Sequence, residues 1–212
     1  MLEKKTIYHF IVDKSGSMQD VLEETITGYN EQLKKIRMTA EKYPDQQFSI
    51  GLTAFNNVID HHYFDQPLKE ARNLSRENYR PNNGTALLDA IGFTAVKLEE
   101  LYQQSQNVDL SIVVVILTDG YENSSREFGN KEICRLVERL EQTDKWTFSF
   151  LGATMDAIQV AESINIKTRN SARYSKLSMK EELWDRLSSS YDTYASKRQR
   201  GEKLDQFLDD KI

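Results

Sequence analysis

The run Leu110 to Leu117, Leu-Ser-Ile-Val-Val-Val-Ile-Leu, limits what this chain can fold into more than any other stretch. It is almost unbroken aliphatic sequence, rich in β-branched residues, and it has no polar side to turn toward water. A strand of that composition is covered on both faces, as the central strand of a parallel sheet is by its flanking helices. Ile7 to Val12 (Ile-Tyr-His-Phe-Ile-Val) reads as a second buried strand and runs straight into the loop Asp13-Lys14-Ser15-Gly16-Ser17.

The segments around these two strands supply the helices. Apolar residues at Val21, Leu22, Ile26, Tyr29, Leu33 and Ile36 recur at helical spacing, and so do Leu87, Leu88, Ile91, Ala95, Leu98 and Leu101 within 86–102. Phe48 to Phe55 and Val58 to Phe64 read as strands joined by Asn56-Asn57, a link so short that the pair must be an antiparallel hairpin. After the central strand come a helix over 131–140, a strand over 146–151, a helix over 155–163 and a weaker sixth strand within 164–174. An amphipathic helix from Met179 to Tyr194 follows. This order implies an α/β fold: a Rossmann-like, open, mainly parallel six-stranded sheet with one antiparallel edge strand and helices on both faces. Residues 1–200 are expected to form one domain that includes the last helix, with 201–212 a frayed tail.

Composition narrows the function. Hydrophobic residues make up 39% and charged residues 29%, with three prolines and nine glycines, which is the make-up of a folded chain. A formal net charge of −5 gives the wrong surface potential for tracking a phosphate backbone, so nucleic acid is not an expected partner. The one dense basic run, Lys197-Arg198-Gln199-Arg200, reads as a solvated helix face or part of the frayed end. A single cysteine, Cys134, excludes an internal disulfide, fits a reducing compartment and reads as a packed thiol among Ile133, Leu136 and Val137. No apolar run is long enough for a signal peptide or a membrane span, so a cytoplasmic location is expected, with no membrane contact.

The chemistry lies at the ends of the two buried strands. Alternate spacing lets Asp13, Ser15 and Ser17 face one small volume, and Thr118-Asp119-Gly120 leaves the central strand in the same way. Two carboxylates then sit at the carboxyl ends of two parallel strands, where open α/β sheets bind ligands if those strands flank the switch in strand order. Thr85, at the start of the helix before the central strand, adds a third hydroxyl. Five oxygen-bearing side chains suit magnesium, a hard cation that takes one or two carboxylates and keeps several waters; the set lacks the thiols and imidazoles that favour zinc. Manganese or calcium fits the same donors.

These residues resemble the metal-ion-dependent adhesion site of the von Willebrand factor A family, whose pattern is Asp-x-Ser-x-Ser, a distant Thr and a further Asp. Asp13, Ser15, Ser17, Thr85 and Asp119 fill it without departure, and 83–91 and 117–123 look like the stand-alone bacterial members over a span of roughly residues 5–175. The resemblance implies that the hydroxyls touch the metal, that the aspartates act directly or through water, and that the sixth position is left for an outside ligand. It further implies a metal-dependent protein-interaction module, not an enzyme, whose partner presents a Glu or Asp carboxylate; a monomer is expected. The rival is a magnesium-dependent phosphohydrolase of the haloacid dehalogenase type with Asp13 as nucleophile. That chemistry needs an acid two residues later, and the residue there is Ser15.

Neighbouring polar residues read less sharply. Asp89, one turn after Thr85, either supports the site or is an exposed helix carboxylate, and Glu122 and Asn123 are rim residues or ordinary loop polarity. His61 and His62 are adjacent in a strand and point to opposite faces, while His9 faces the core or a helix. None belongs to a nucleophile, base and orienter set.

Overall fold

A computed structural model of the chain describes residues 2–176 and 183–209. Strands β1 (Glu3–Asp13), β2 (Gln46–Phe55), β3 (Ile59–Pro67), β4 (Val108–Thr118), β5 (Trp146–Gly152) and β6 (Ser171–Arg173) form one sheet in the order β3-β2-β1-β4-β5-β6. All neighbours are parallel except β2 and β3, which pair antiparallel. Helices α1 (Leu22–Lys42), α2 (Leu87–Gln104), α3 (Asn130–Glu141), α4 (Met155–Ser163) and α5 (Asp185–Arg200) complete the fold. Among the described residues no helix is long and apolar enough to cross a membrane.

The alternation along β1 and β4 explains why both strands lack a polar side. Tyr8, Phe10, Val12, Val113, Val115 and Leu117 face α1 and α5. Ile7, Ile11, Ile112, Val114 and Ile116 face α2, α3 and α4. Each fully buried aliphatic side chain contributes about 1.5–3 kcal/mol, so this double layer dominates the stability. The register places Val12 opposite Leu117, so Asp13 ends its strand beside Thr118, with Asp119 the next residue on.

The carboxyl-terminal region departs from the sequence expectation in three ways. The last helix ends at Arg200 and not at Tyr194; of its expected beginning, residues 179–182 lie outside the described residues. The basic run is not a solvated face throughout, because Arg198 is buried, with its guanidinium donating to Lys5 O (3.1 Å), Asp109 O and Ser111 Oγ. Strand carbonyls at the amino ends of β1 and β4 supply the acceptors that a buried cation requires.

Nor do residues 201–209 fray. Gly201 takes a left-handed conformation (φ 70°), which ends α5 and turns the chain back over the sheet. Leu204, Phe207 and Leu208 are then buried, and Phe207 packs with its ring centroid 5.6–5.8 Å from those of Tyr8, Tyr191 and Tyr194. Backbone groups are satisfied on the way: Thr147 Oγ1 donates to Leu204 O (2.7 Å) and Phe207 N donates to Asn170 Oδ1 (2.8 Å). Residues 210–212 lie outside the described residues. Cys134 differs from its expectation too. It is half-buried on α3, because Ile133 and Val137 take the inward positions of that helix.

Candidate metal centre

Asp13 and Asp119 are brought together by the pairing of β1 with β4, and both are buried. Asp13 Oδ1 accepts from the backbone N–H of Ser15 (2.6 Å), which folds the loop back over the strand end, and Oδ2 accepts from Thr118 Oγ1 (2.5 Å). Tyr79, in the long connection after β3, donates to Asp13 O (2.5 Å) and seals the same strand end from the α1 side. Ser15 Oγ lies 3.2 Å from Ser17 Oγ, and Ser17 Oγ donates to Asp119 Oδ1 (2.6 Å). The other Asp119 oxygen forms an ion pair with Lys176 at 2.5 Å, off the axis of a hydrogen bond.

Thr85 reaches the cluster from the turn ahead of α2. Its peptide group is held on both sides by the β4–α3 loop: Thr85 N donates to Asn123 Oδ1 (2.9 Å), and Thr85 O accepts from Asn123 N (3.1 Å) and Ser124 N (3.2 Å). The position of Gly120 gathers the set. A Cβ there would stand 3.0 Å from Thr85 Oγ1, 3.4 Å from Ser17 Oγ and 3.5 Å from Asp13 Oδ2, so three candidate ligands face the space beside Gly120, and a side chain there would crowd Thr85 first.

The β4–α3 loop is itself fixed by two carboxylates. Glu122 accepts from Leu88 N (2.9 Å), Ser124 N (3.0 Å) and Ser125 N (2.8 Å); Asp89 accepts from Arg126 N (2.8 Å), Glu127 N (3.0 Å) and Phe128 N (2.8 Å). Asp89 is therefore buried and turned toward the loop, and it is not an exposed helix carboxylate. The cap residue of α2, Ala86, has no side-chain donor or acceptor; Glu122 and Ser125 satisfy the first free N–H groups of that helix in its place.

Electrostatics favour a cation here. Burial pushes the Asp13 carboxyl up to about 6, the hydrogen bonds from Thr118 and Ser15 pull it down, and the Asp119 charge adds to the rise. Burial, with the same two charges, also holds the Tyr79 and Tyr174 hydroxyls well above their ordinary range. The donor set fits a hard ion as well. Ser17 spends its only proton on Asp119, so Ser15 donates in the 3.2 Å pair and one Ser17 lone pair is left for a ligand role. Among the described residues no three His, Cys, Asp or Glu side chains form a metal cluster, and the candidate donors here are two carboxylates and three hydroxyls.

All five side chains singled out in the sequence thus meet at one sheet edge. The histidines are elsewhere: His9 Nε2 and His61 Nδ1 lie 2.9 Å and 3.0 Å from Thr53 Oγ1. Sequence reasoning gave no role to Thr118, Gly120, Tyr79 or Lys176. Thr118 and Gly120 stood on either side of Asp119 and could have been read from strand register, whereas Tyr79 and Lys176 lie in stretches with no periodicity or motif.

Solved structures carry the same architecture. The PilB minor pilin from Streptococcus sanguinis superposes with a TM-score of 0.59 at 14% identity, over 95% of this chain and 62% of that one. Manganese-loaded TRAP protein from Plasmodium vivax gives 0.55 at 12%, over 84% and 71%. A von Willebrand factor type A protein from Catenulispora acidiphila gives 0.53 at 13%, over 89% and 43%. The chain thus spans less than two thirds of the length of the pilin and of the Catenulispora protein. No sequence-family model matches the chain, and no curated protein does. The fold is that of the von Willebrand factor A domain, with helices on both faces of a six-stranded sheet and one antiparallel pair.

Proposed function

We propose that this chain is a metal-dependent interaction module. It would hold one divalent cation, magnesium by preference with manganese or calcium as substitutes, through Asp13, Ser15, Ser17, Thr85 and Asp119, and use it to grip a Glu or Asp side chain of a protein partner. One observation carries the reading: the Asp13 and Ser17 oxygens from one loop and the Thr85 hydroxyl from another converge on the space beside Gly120. Neutral hydroxyls among the ligands leave much of a bound ion's charge uncompensated, which makes an outside carboxylate a favourable last ligand. The manganese bound in the TRAP structure supports a divalent ion in a fold of this kind.

Beside the centre, Asn57, Asn83, Gly84, Asn123 and Ser124 line an open polar cleft of about 560 Å³. These groups supply hydrogen bonds to a peptide whose carboxylate reaches the ion. A phosphohydrolase gains no comparable support, because both oxygens of Asp13 already accept hydrogen bonds, the side chain is buried, and Ser15 stands where the leaving-group acid is needed.

Calorimetric titration of the chelator-treated chain with Mg2+ or Mn2+, paired with capture from lysate in the presence and absence of chelator, tests the proposal. One-site binding and chelator-sensitive capture, both lost in Asp13→Ala, are expected. Capture that persists through chelation and through the substitution would overturn it.

A further inference from the structure

Lys176 follows β6 on a segment anchored by Tyr174, whose backbone N–H donates to Gly152 O (3.0 Å) and whose hydroxyl reaches Thr118 O (3.4 Å). From this anchor its ammonium lies 2.5 Å from Asp119 Oδ2, donates to Ser17 O (3.0 Å) and passes 3.5 Å from Asp20. The Asp119 carboxylate is wholly buried, while the lysine side chain over it is one third exposed (33%). Among the described residues Oδ2 accepts no aligned hydrogen bond, and the partly exposed ammonium is its charge partner.

We infer that Lys176 is a tethered cation that competes with the divalent ion for Asp119 and sets how strongly an ion must bind to take the site. The inference rests on the metal reading of the centre. With the ammonium in place the two carboxylates carry one balancing charge, so the burial of Asp119 is supported before any ion arrives. A divalent ion that draws on Asp119 meets a like charge at short range unless the lysine swings away, and its flexible four-carbon stem permits that. A monovalent ion offers Asp119 no more charge than the lysine already does. The competition therefore selects for divalent ions, and binding turns the ammonium outward onto the rim, where an acidic partner would approach.

Mn2+ affinity, measured by electron paramagnetic resonance on the full chain at fixed ionic strength, tests this. Lys176→Met removes the charge and keeps most of the stem; because the lysine is partly exposed and screened, binding is expected to tighten about three- to tenfold, with Lys176→Arg close to the wild type. Unchanged or weaker binding by a folded Lys176→Met chain overturns the inference while leaving the site intact, and no binding by either chain removes the site and the inference together. Should the variant fail to fold, the wild type answers by a second route. The rate at which an amine-reactive reagent labels Lys176 must rise on saturation with Mn2+, and an unchanged or slower rate refutes the release.

Discussion

At the amino ends of β1 and β4 the Arg198 guanidinium is buried among Lys5 O, Asp109 O and Ser111 Oγ, whereas at the carboxyl ends of the same strands Asp13 and Asp119 are buried against hydroxyls and against each other. The first arrangement is closed. Two strand carbonyls and the Ser111 hydroxyl accept from the terminal nitrogens of Arg198, the Asp109 carboxylate lies 3.5 Å away, and the terminal strap over 201–209 packs nearby. The second is open, because the described cation beside the buried Asp119 is a lysine whose side chain is one third exposed. A buried charge met mainly by the fold's own acceptors acts as a structural clamp, whereas buried carboxylates left facing an exposed lysine are what a proposed ion site would use.

The contrast is open to attack at either end. The largest effect is expected from Phe207→Ala, which empties the aromatic cluster beneath the strap and should cost about 4 kcal/mol in urea unfolding, with ion affinity unchanged. Arg198→Met comes next, at about 3 kcal/mol, since strand carbonyls and Ser111 lose a charged donor. A drop in ion affinity in either variant, with the fold intact, would break the division between the two ends. Thr85→Ala should do the reverse: Mn2+ affinity falls about ten- to hundredfold, while stability in chelator stays within about 0.5 kcal/mol, because the backbone bonds of Thr85 remain.

The smallest effect concerns pH and separates the two kinds of buried group. Burial lowers His9 to about 3, with the His61 charge adding to the fall, so its contribution is present above the ordinary value of 6.5 and is lost as pH falls toward 3. Asp13, raised to about 6, acts oppositely and gains stability for the ion-free chain as pH falls from 6 toward 3.8. Between pH 6.5 and 5.5 Asp13 offsets part of the loss from His9 in chelator, while His61 and His62, also held below the ordinary range by burial, add to that loss. Saturating Mg2+ should keep Asp13 ionised, so the loss on going from pH 6.5 to 5.5 should grow by about 1 kcal/mol in unfolding midpoints, and His9→Gln should reduce it without abolishing it, because His61 and His62 remain.

Much of this molecule was legible because its signals are local. Unbroken β-branched runs forced the central strands, and Asp-x-Ser-x-Ser with Thr118-Asp119-Gly120 fixed which loops to bring together. Features that escaped depend on what a residue meets far along the chain. Arg198 has the sequence signature of any basic helix face, and only strand ends 89 and 193 residues away make it a clamp. Leu204, Phe207 and Leu208 are scattered among charged and polar residues at no regular spacing, so nothing marks 201–209 as packed until the Tyr8, Tyr191 and Tyr194 rings are in place. The roles of Asp89, read as a site support or an exposed helix carboxylate, and of Glu122, read as a rim residue or loop polarity, stayed open because their partners are largely backbone N–H groups, which carry no residue signature.

Strand β1 also measures a distance. Its eleven residues run from one edge of the sheet to the other, so Glu3 sits roughly 33 Å from Asp13. A handle placed at the start of β1 holds the chain by the end farthest from Asp13 and Asp119 and leaves the proposed ion site, the polar cleft and Lys176 facing free solution. A handle that pulls on 201–209 does not, because tension there withdraws Phe207 from its aromatic neighbours and loosens α5. The choice of attachment point thus decides whether a partner-capture experiment reports on the ion or on the unfolding of the strap.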